Sequence, residues 1–373
     1  MGDEPISVRV VATQLCARVP GGTGRYVEEL VRGLVRRRPD DARVVAVAVR
    51  DCAAVDRLGV DVERVAPPLP VLARLWERGL PPKPRAGGVL HAPTLMVPPV
   101  PRSTALVVTI HDVVPWTHPE TLTPHGVAFH RRMGERAARD AATIVTPTEA
   151  VAARVRELLD PRGAVLTVAP GVSVTAPPPD ADERRAARRS SRPYVLFVGT
   201  AEPRKGLDVL VEALTRSELA DLDLVVVGPP GWGDVDIGAL AAAAGVSERV
   251  HVTGRVDDAD LAAWYTGARV LAMPSRAEGF GFPVVEAMAH GLPVVVTADP
   301  ALTEVAAGAA TVVPVGEAEP LAVALAESAA DGAARAELVE RGRSRAADFD
   351  WDRTAAEMWG LYGSVAPATG RTG

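Results

Sequence analysis

Two glutamates eight positions apart, Glu278 and Glu286, bracket the turn Glu278-Gly279-Phe280-Gly281-Phe282-Pro283. An apolar run, Ala268–Met273, precedes them and another, Leu292–Val296, follows, with a helical stretch through Ala289 between. That order is strand, glycine loop, helix, strand, the unit from which parallel sheets are built. Glu278 then falls in the loop and Glu286 about one turn into the helix. Both can face the crevice beyond the strand's carboxyl end, where open α/β sheets bind ligands. The amides of Gly279–Phe282 open the helix and can accept an anion such as a diphosphate. A second glycine cluster, Gly21-Gly22-Thr23-Gly24, follows the β-branched run Ile6–Ala12 and could cradle a phosphate in a loop before the helical pattern Tyr26, Leu30, Leu34. His111-Asp112 stands at the end of the apolar run Ala105–Ile110, again at a predicted strand terminus.

Each of these features has an ordinary explanation when taken alone. Paired glutamates and adjacent cations are usually solvated surface, glycine clusters are usually turns, and a lone histidine is usually a hydrogen-bonded structural group. The glycine cluster is not a dinucleotide fingerprint, because Val27 stands where the third glycine belongs. The elements around them give the features weight. Further strands are expected at Arg43–Val49, Val89–His91, Ala142–Pro147, Val165–Ala169, Tyr194–Val198, Leu222–Gly228 and Val250–Thr253, with helices at Asp258–Gly267, Ala318–Ala330, Ala333–Ala347 and Thr354–Tyr362. Alternating strands and helices over 373 residues predict two doubly wound α/β domains. Thr175–Pro193, proline-rich and then charged, reads as the exposed linker between them, with room for a short helix.

Taken together, the block Ser275–Val296 closely resembles the E-x7-E signature of the retaining GT-B glycosyltransferases, specifically family four of the nucleotide-sugar-dependent enzymes. The resemblance implies two Rossmann-like domains facing across a cleft: 1–175 binding the acceptor, a linker over 176–193, 194–348 binding the nucleotide-sugar donor, and 349–373 as a helix crossing back to the first domain. It implies that Glu278 faces the donor sugar and that Glu286 holds the ribose. Gly199 through Gly206 is similar to the family's G-R-x-x-x-x-K-G element, so Lys205, with Arg204 beside it, is expected to clamp the donor diphosphate; Glu202-Pro203 departs from the common pattern. The loop at Gly21, Gly22 and Gly24, with Arg25, is similar to one that lies near the donor phosphates. The HD-x-x-P element at His111 resembles a branch containing many mannosyl- and rhamnosyltransferases, whose histidine sits beside the donor sugar and leaving phosphate. His111 and Glu278 are therefore the expected catalytic residues, with Asp112 supporting His111. GDP-mannose is the favoured donor, a co-substrate rather than a resident cofactor, and UDP-, ADP- and dTDP-sugars remain open.

Composition narrows the partners. The net charge of −6 argues against a general nucleic-acid binder. Residues 1–175 carry 23 basic against 18 acidic side chains and the remainder 18 against 29, so the first half suits an anionic acceptor or an anionic membrane surface. Val71–Gly88 mixes Leu72, Leu75, Trp76 and Leu80 with Arg74, Arg78, Lys83 and Arg85; it reads as a core-facing helix with a solvated face, or as a segment touching a membrane or lipid-linked acceptor. His118, His125 and His130 lack a paired-carboxylate pattern, and no metal site is expected. Cys16 and Cys52 fit no disulfide framework, no signal peptide is visible, and no run is long enough to span a bilayer. A cytoplasmic enzyme, peripheral at the inner membrane face when its acceptor is lipid-linked, is expected, acting on a glycan, lipid-linked or small-molecule acceptor. The alternatives are a GT-B epimerase or hydrolase, which would turn over donor without acceptor, and a non-catalytic nucleotide-sugar-binding subunit, which would lack Glu278, Lys205 or His111.

Overall fold

The apolar runs of the first half become seven short strands in the computed structural model, which describes residues 6–17, 21–187, 192–231, 233 and 235–367. They are β1 (Ile6–Val11), β2 (Ala42–Val49), β3 (Asp61–Val65), β4 (Val89–Ala92), β5 (Ala105–Thr109), β6 (Thr143–Thr146) and β7 (Ala164–Thr167). All pair in parallel, in the order β3-β2-β1-β4-β5-β6-β7. Parallel strands must be covered by helices on both faces, so the central ones carry near-continuous Val and Leu rather than an alternating pattern. Val8, Val10, Val89, Leu90, Val107 and Val108 are fully buried. The order reverses between β1 and β4, which opens a crevice at their carboxyl ends.

One compact unit comprises residues 1–116, 124–171 and 350–373. The C-terminal helix Trp351–Val365 is part of it and packs on the helix Gly21–Arg36. Asp350 caps that helix by accepting from the Asp352 amide, and Trp359 Nε1 donates to the Leu34 carbonyl at 3.0 Å. The approach is close: a Cβ on Gly171 would lie 2.2 Å from the Trp351 nitrogen, so only glycine fits there.

The other unit, residues 117–123 and 172–349, holds β8 (Tyr194–Val198), β9 (Asp223–Val227), β10 (Val250–Gly254), β11 (Val270–Met273), β12 (Val294–Thr297) and β13 (Thr311–Val313). Its six strands are also parallel, in the order β10-β9-β8-β11-β12-β13, with the reversal between β8 and β11. Two apolar clusters cover the faces, one around Phe197, Leu210 and Leu325, the other around Trp264, Leu271 and Val284.

Several expectations need correction. Gly21, Gly22 and Gly24 do not form a loop: the helix begins at Gly21, so they are its first turn, and Gly24 is buried. The two cysteines are joined. Cys16 ends one 3-10 turn and Cys52 precedes another, and their folding together gives a disulfide with Cα atoms 5.3 Å apart. The edge strands β3 and β13 went unread because an edge strand needs little apolar character; β3 carries Asp61, Glu63 and Arg64. Val71–Gly88 is helical only within Leu69–Glu77, where Leu72 and Trp76 face the core. The short helix allowed for in the linker is there, at Ala181–Ala187, and residues 188–191 lie outside those described. Among the described residues, no helix is long and apolar enough to cross a membrane.

Candidate functional site

The β8–β11 reversal gathers the charged residues of the second unit. After β8 the chain enters a short 3-10 turn, Pro203–Lys205, and leaves it at Gly206 with φ of 68°. Glycine is required there twice over, since a Cβ would also lie 2.1 Å from the Pro274 carbonyl oxygen. That turn directs both cations at the loop following β11. Lys205 Nζ donates to Glu278 Oε1 at 2.5 Å, and Arg204 Nη1 donates to Glu278 Oε2 at 3.0 Å. Arg204 also donates to Glu202 and to the Ala277 carbonyl, so it is held in the cluster rather than turned to solvent.

Glu278 is further fixed by Ser275, whose buried hydroxyl donates to Oε1 at 2.7 Å, and by Asp299, which accepts the Glu278 amide at 3.3 Å. Asp299 caps the helix Pro300–Ala306 through the Ala301 and Leu302 amides as well. Burial pushes the Glu278 carboxyl up, but Lys205 and Arg204 beside it prevail and hold it down to about 2. Burial and then Arg204 draw the Lys205 ammonium downward against the pull of Glu278. Burial raises Glu202 and Asp299 above the usual carboxylate range. The cluster is thus two cations around the firmly ionised Glu278, with Glu202 also on Arg204.

Glu286 lies inside the helix Phe282–Ala289, 6% exposed. Its Oε2 accepts the Tyr265 hydroxyl at 2.7 Å, and the Tyr265 ring stacks on His290. At the start of this helix Gly281 adopts φ of 86° and Pro283 has no N–H, so the anion-facing donors lie upstream, within Gly279–Phe282.

In the first unit His111 follows β5. Its Nε2 lies 2.8 Å from the Pro93 carbonyl, which can only accept, so Nε2 carries the proton and Nδ1 the lone pair. Burial lowers its pKa, opposed by the Pro93 hydrogen bond and by Asp112, so the ring is neutral near pH 7. A neutral imidazole with a free Nδ1 acceptor suits a hydroxyl better than a phosphate. Asp112 accepts the Val114 amide at 3.0 Å and braces the turn rather than the imidazole. Among the described residues, no three His, Cys, Asp or Glu side chains gather as a metal-binding group.

The fold therefore brings Arg204, Lys205, Glu278 and the Gly279–Phe282 turn together, and holds Glu286 on the helix that this turn opens. Gly21, Gly22, Gly24 and His111 belong to the other unit. Sequence reading missed Ser275, Asp299 and Tyr265. Asp299-Pro300 is a legible cap-and-proline helix start, but its contact with Glu278 has no local signature.

Residues 180–345 match the family model described as glycosyl transferases group 1. A D-inositol 3-phosphate glycosyltransferase of Jonesia denitrificans is 34% identical over 247 residues, covering 61% of this chain and 58% of that protein. The chain thus spans little more than half the length of the first such relatives. The O-antigen chain mannosyltransferase B of Escherichia coli is 26% identical over 282 residues, 74% of each chain. Among solved structures, Anabaena Alr3699/HepE in complex with UDP-glucose superposes with a TM-score of 0.73 at 18% identity, over 96% of this chain and 99% of that one. The chain resembles the family-four glycosyltransferases, and its fold is GT-B.

Proposed function

From this family likeness, we propose that the chain is a retaining glycosyltransferase moving a hexose, mannose or a close relative, from a nucleotide diphosphate sugar to a hydroxyl acceptor. One observation carries the reading: Lys205 and Arg204 converge on Glu278 beside a helix-opening glycine turn, at the ligand-binding end of the β8–β11 reversal. Breaking a sugar–diphosphate bond develops negative charge on the leaving phosphate. A preorganised cation pair and the Gly279–Phe282 amides stabilise that charge. Glu278, kept ionised by the same cations, accepts hydrogen bonds from the sugar hydroxyls, and Glu286 accepts from the ribose. His111, neutral, accepts from a further sugar hydroxyl through Nδ1. The acceptor oxygen attacks from the face the diphosphate leaves, forming the new glycosidic bond as the old one breaks, and its proton passes to the leaving phosphate oxygen. The scheme needs no protein nucleophile of the glycosidase kind, and it routes no step through a metal, because the cation pair neutralises the diphosphate.

The mannosyltransferase relative supports mannose, and the UDP-glucose complex of the structural neighbour supports the nucleotide-sugar class. The relatives named for D-inositol 3-phosphate, with the basic excess of the first half, favour an anionic polyol or a lipid-linked glycan as acceptor. We place the protein in the cytoplasm, at the inner membrane face when the acceptor is lipid-linked.

The test is a thermal-shift panel of GDP, UDP, ADP and dTDP with their sugars. A ligand at about 100 times its dissociation constant adds about 2.7 kcal/mol to the native state. A shift with one base, lost in Glu286→Ala and Lys205→Ala, supports the donor site, and GDP is the base expected. No shift with any nucleotide overturns it.

A further inference from the structure

We propose that Tyr26 is a positioning residue for His111, held in place by a buried hydrogen-bond relay that begins on the C-terminal helix. The inference rests on the reading of His111 as a sugar contact. Tyr26 is 1% exposed, and its ring meets the His111 imidazole nearly at right angles, centroids 4.6 Å apart. Trp351 of the C-terminal helix also lies against Tyr26, at 5.7 Å. The Tyr26 hydroxyl reaches Thr109 Oγ1 at 3.5 Å. Thr109 ends β5 and His111 follows two residues later, and a single tyrosine spans them, its hydroxyl on Thr109 and its ring on His111.

The relay continues inward. Thr109 Oγ1 is 2.8 Å from His91 Nε2, and His91 Nδ1 is 2.7 Å from the Tyr362 hydroxyl. Every member is buried. Burial brings the His91 pKa down to about 3, so it is neutral and carries one N–H; one nitrogen must donate while the other accepts. Tyr26 stays protonated, its pKa raised by burial to about 12. The relay is thus uncharged and directional, and running it from helix to ring costs no buried charge. A phenylalanine would fill the Tyr26 site as well if packing were all that mattered; the hydroxyl, on Thr109 Oγ1, is what joins the ring to the relay. The ring contact is what can fix the imidazole with Nε2 on Pro93 and leave Nδ1 to accept.

The experiment pairs Tyr26→Phe, Tyr26→Leu and Tyr362→Phe with His111→Ala. Long-range 15N spectra of the histidine rings read the His111 tautomer in the protein alone. The Nε2-protonated form is expected in the native protein, a partial loss of it in Tyr26→Phe, which cuts the relay at the hydroxyl, and a mixture in Tyr26→Leu. In sugar transfer, Tyr26→Leu is expected to lower kcat about ten- to a hundredfold with donor KM little changed. The Tyr26→Leu/His111→Ala double variant should be no slower than His111→Ala alone. Tyr362→Phe cuts the relay without emptying the core, so it decides the matter should Tyr26→Leu not fold; a partial loss of the single tautomer is expected there. An unchanged tautomer in both variants, or multiplying losses in the double variant, overturns the proposal. A silent His111→Ala would overturn the role given to His111 in transfer, while the tautomer spectra would still judge what Tyr26 does to the ring.

Discussion

Replacing Glu278 by glutamine should remove a specific part of the protein's acid sensitivity. The folded carboxyl is held to about 2 against an ordinary 4.5, because the buried group sits between Lys205 and Arg204. A depressed carboxylate pKa gives stability that is complete above the unfolded value and lost as pH falls toward the folded one. The difference corresponds to about 3 kcal/mol near neutral pH, of which about 2 kcal/mol disappears between pH 5 and pH 3. Glutamine keeps the shape and one acceptor oxygen but has no proton equilibrium, and it takes from Lys205 its bonded counter-charge while leaving Arg204 only Glu202. Glu278→Gln should therefore be clearly less stable near pH 5, by up to about 3–5 kcal/mol for an unpaired buried charge. Near pH 3 the gap should narrow by about 2 kcal/mol. Urea unfolding of both proteins at the two pH values measures this double difference, in which carboxylates away from Glu278 cancel, whereas Glu202 and Asp299, which it repels, do not fully do so. A gap equal at both pH values would show that Glu278 is not ionised by its cations in the folded state. The donor-clamp electrostatics would fall with it.

Gly206→Ala should destabilise the protein more than Gly245→Ala, though both glycines have φ near +70°. Gly245 has open space around it, so alanine there costs only the left-handed strain of about 1–2 kcal/mol, whereas at Gly206 the methyl group also meets the Pro274 carbonyl. Equal losses in thermal melts would refute the close approach. Reducing the Cys16–Cys52 disulfide, which closes a separation of 36 residues, should cost about 2–4 kcal/mol of unfolding free energy. Free-thiol labelling of the native protein checks the bond first; two reactive thiols would refute it.

Local order was legible wherever the signal is local. Tyr194–Val198 and Asp258–Gly267 are where apolar pattern and capping put them, since strand and helix periodicities depend on adjacent residues. The glycine turn before Phe282 was legible for the same reason: Gly281 needs a positive φ that few other residues tolerate. The first helix was misjudged at its start. Glycine signals a turn and a first helical turn alike, and only the packing of Gly24 and Tyr26 decides between them.

By itself, the sequence determined the alternation of strands and helices, the glycines that turn the chain, and which side chains could bear charge near a ligand. Only the tertiary structure decided which of them meet. Lys205 and Glu278 are 73 positions apart, and His91 and Tyr362 are 271 apart. The first pair is set by strand order, β8 lying beside β11, and the second by the packing of the C-terminal helix back onto the first unit, neither of which a neighbouring residue encodes. The same holds for protonation. Glu278 is firmly ionised and His111 neutral because of what burial places against them, and a side chain's charge is a property of its surroundings as much as of its type.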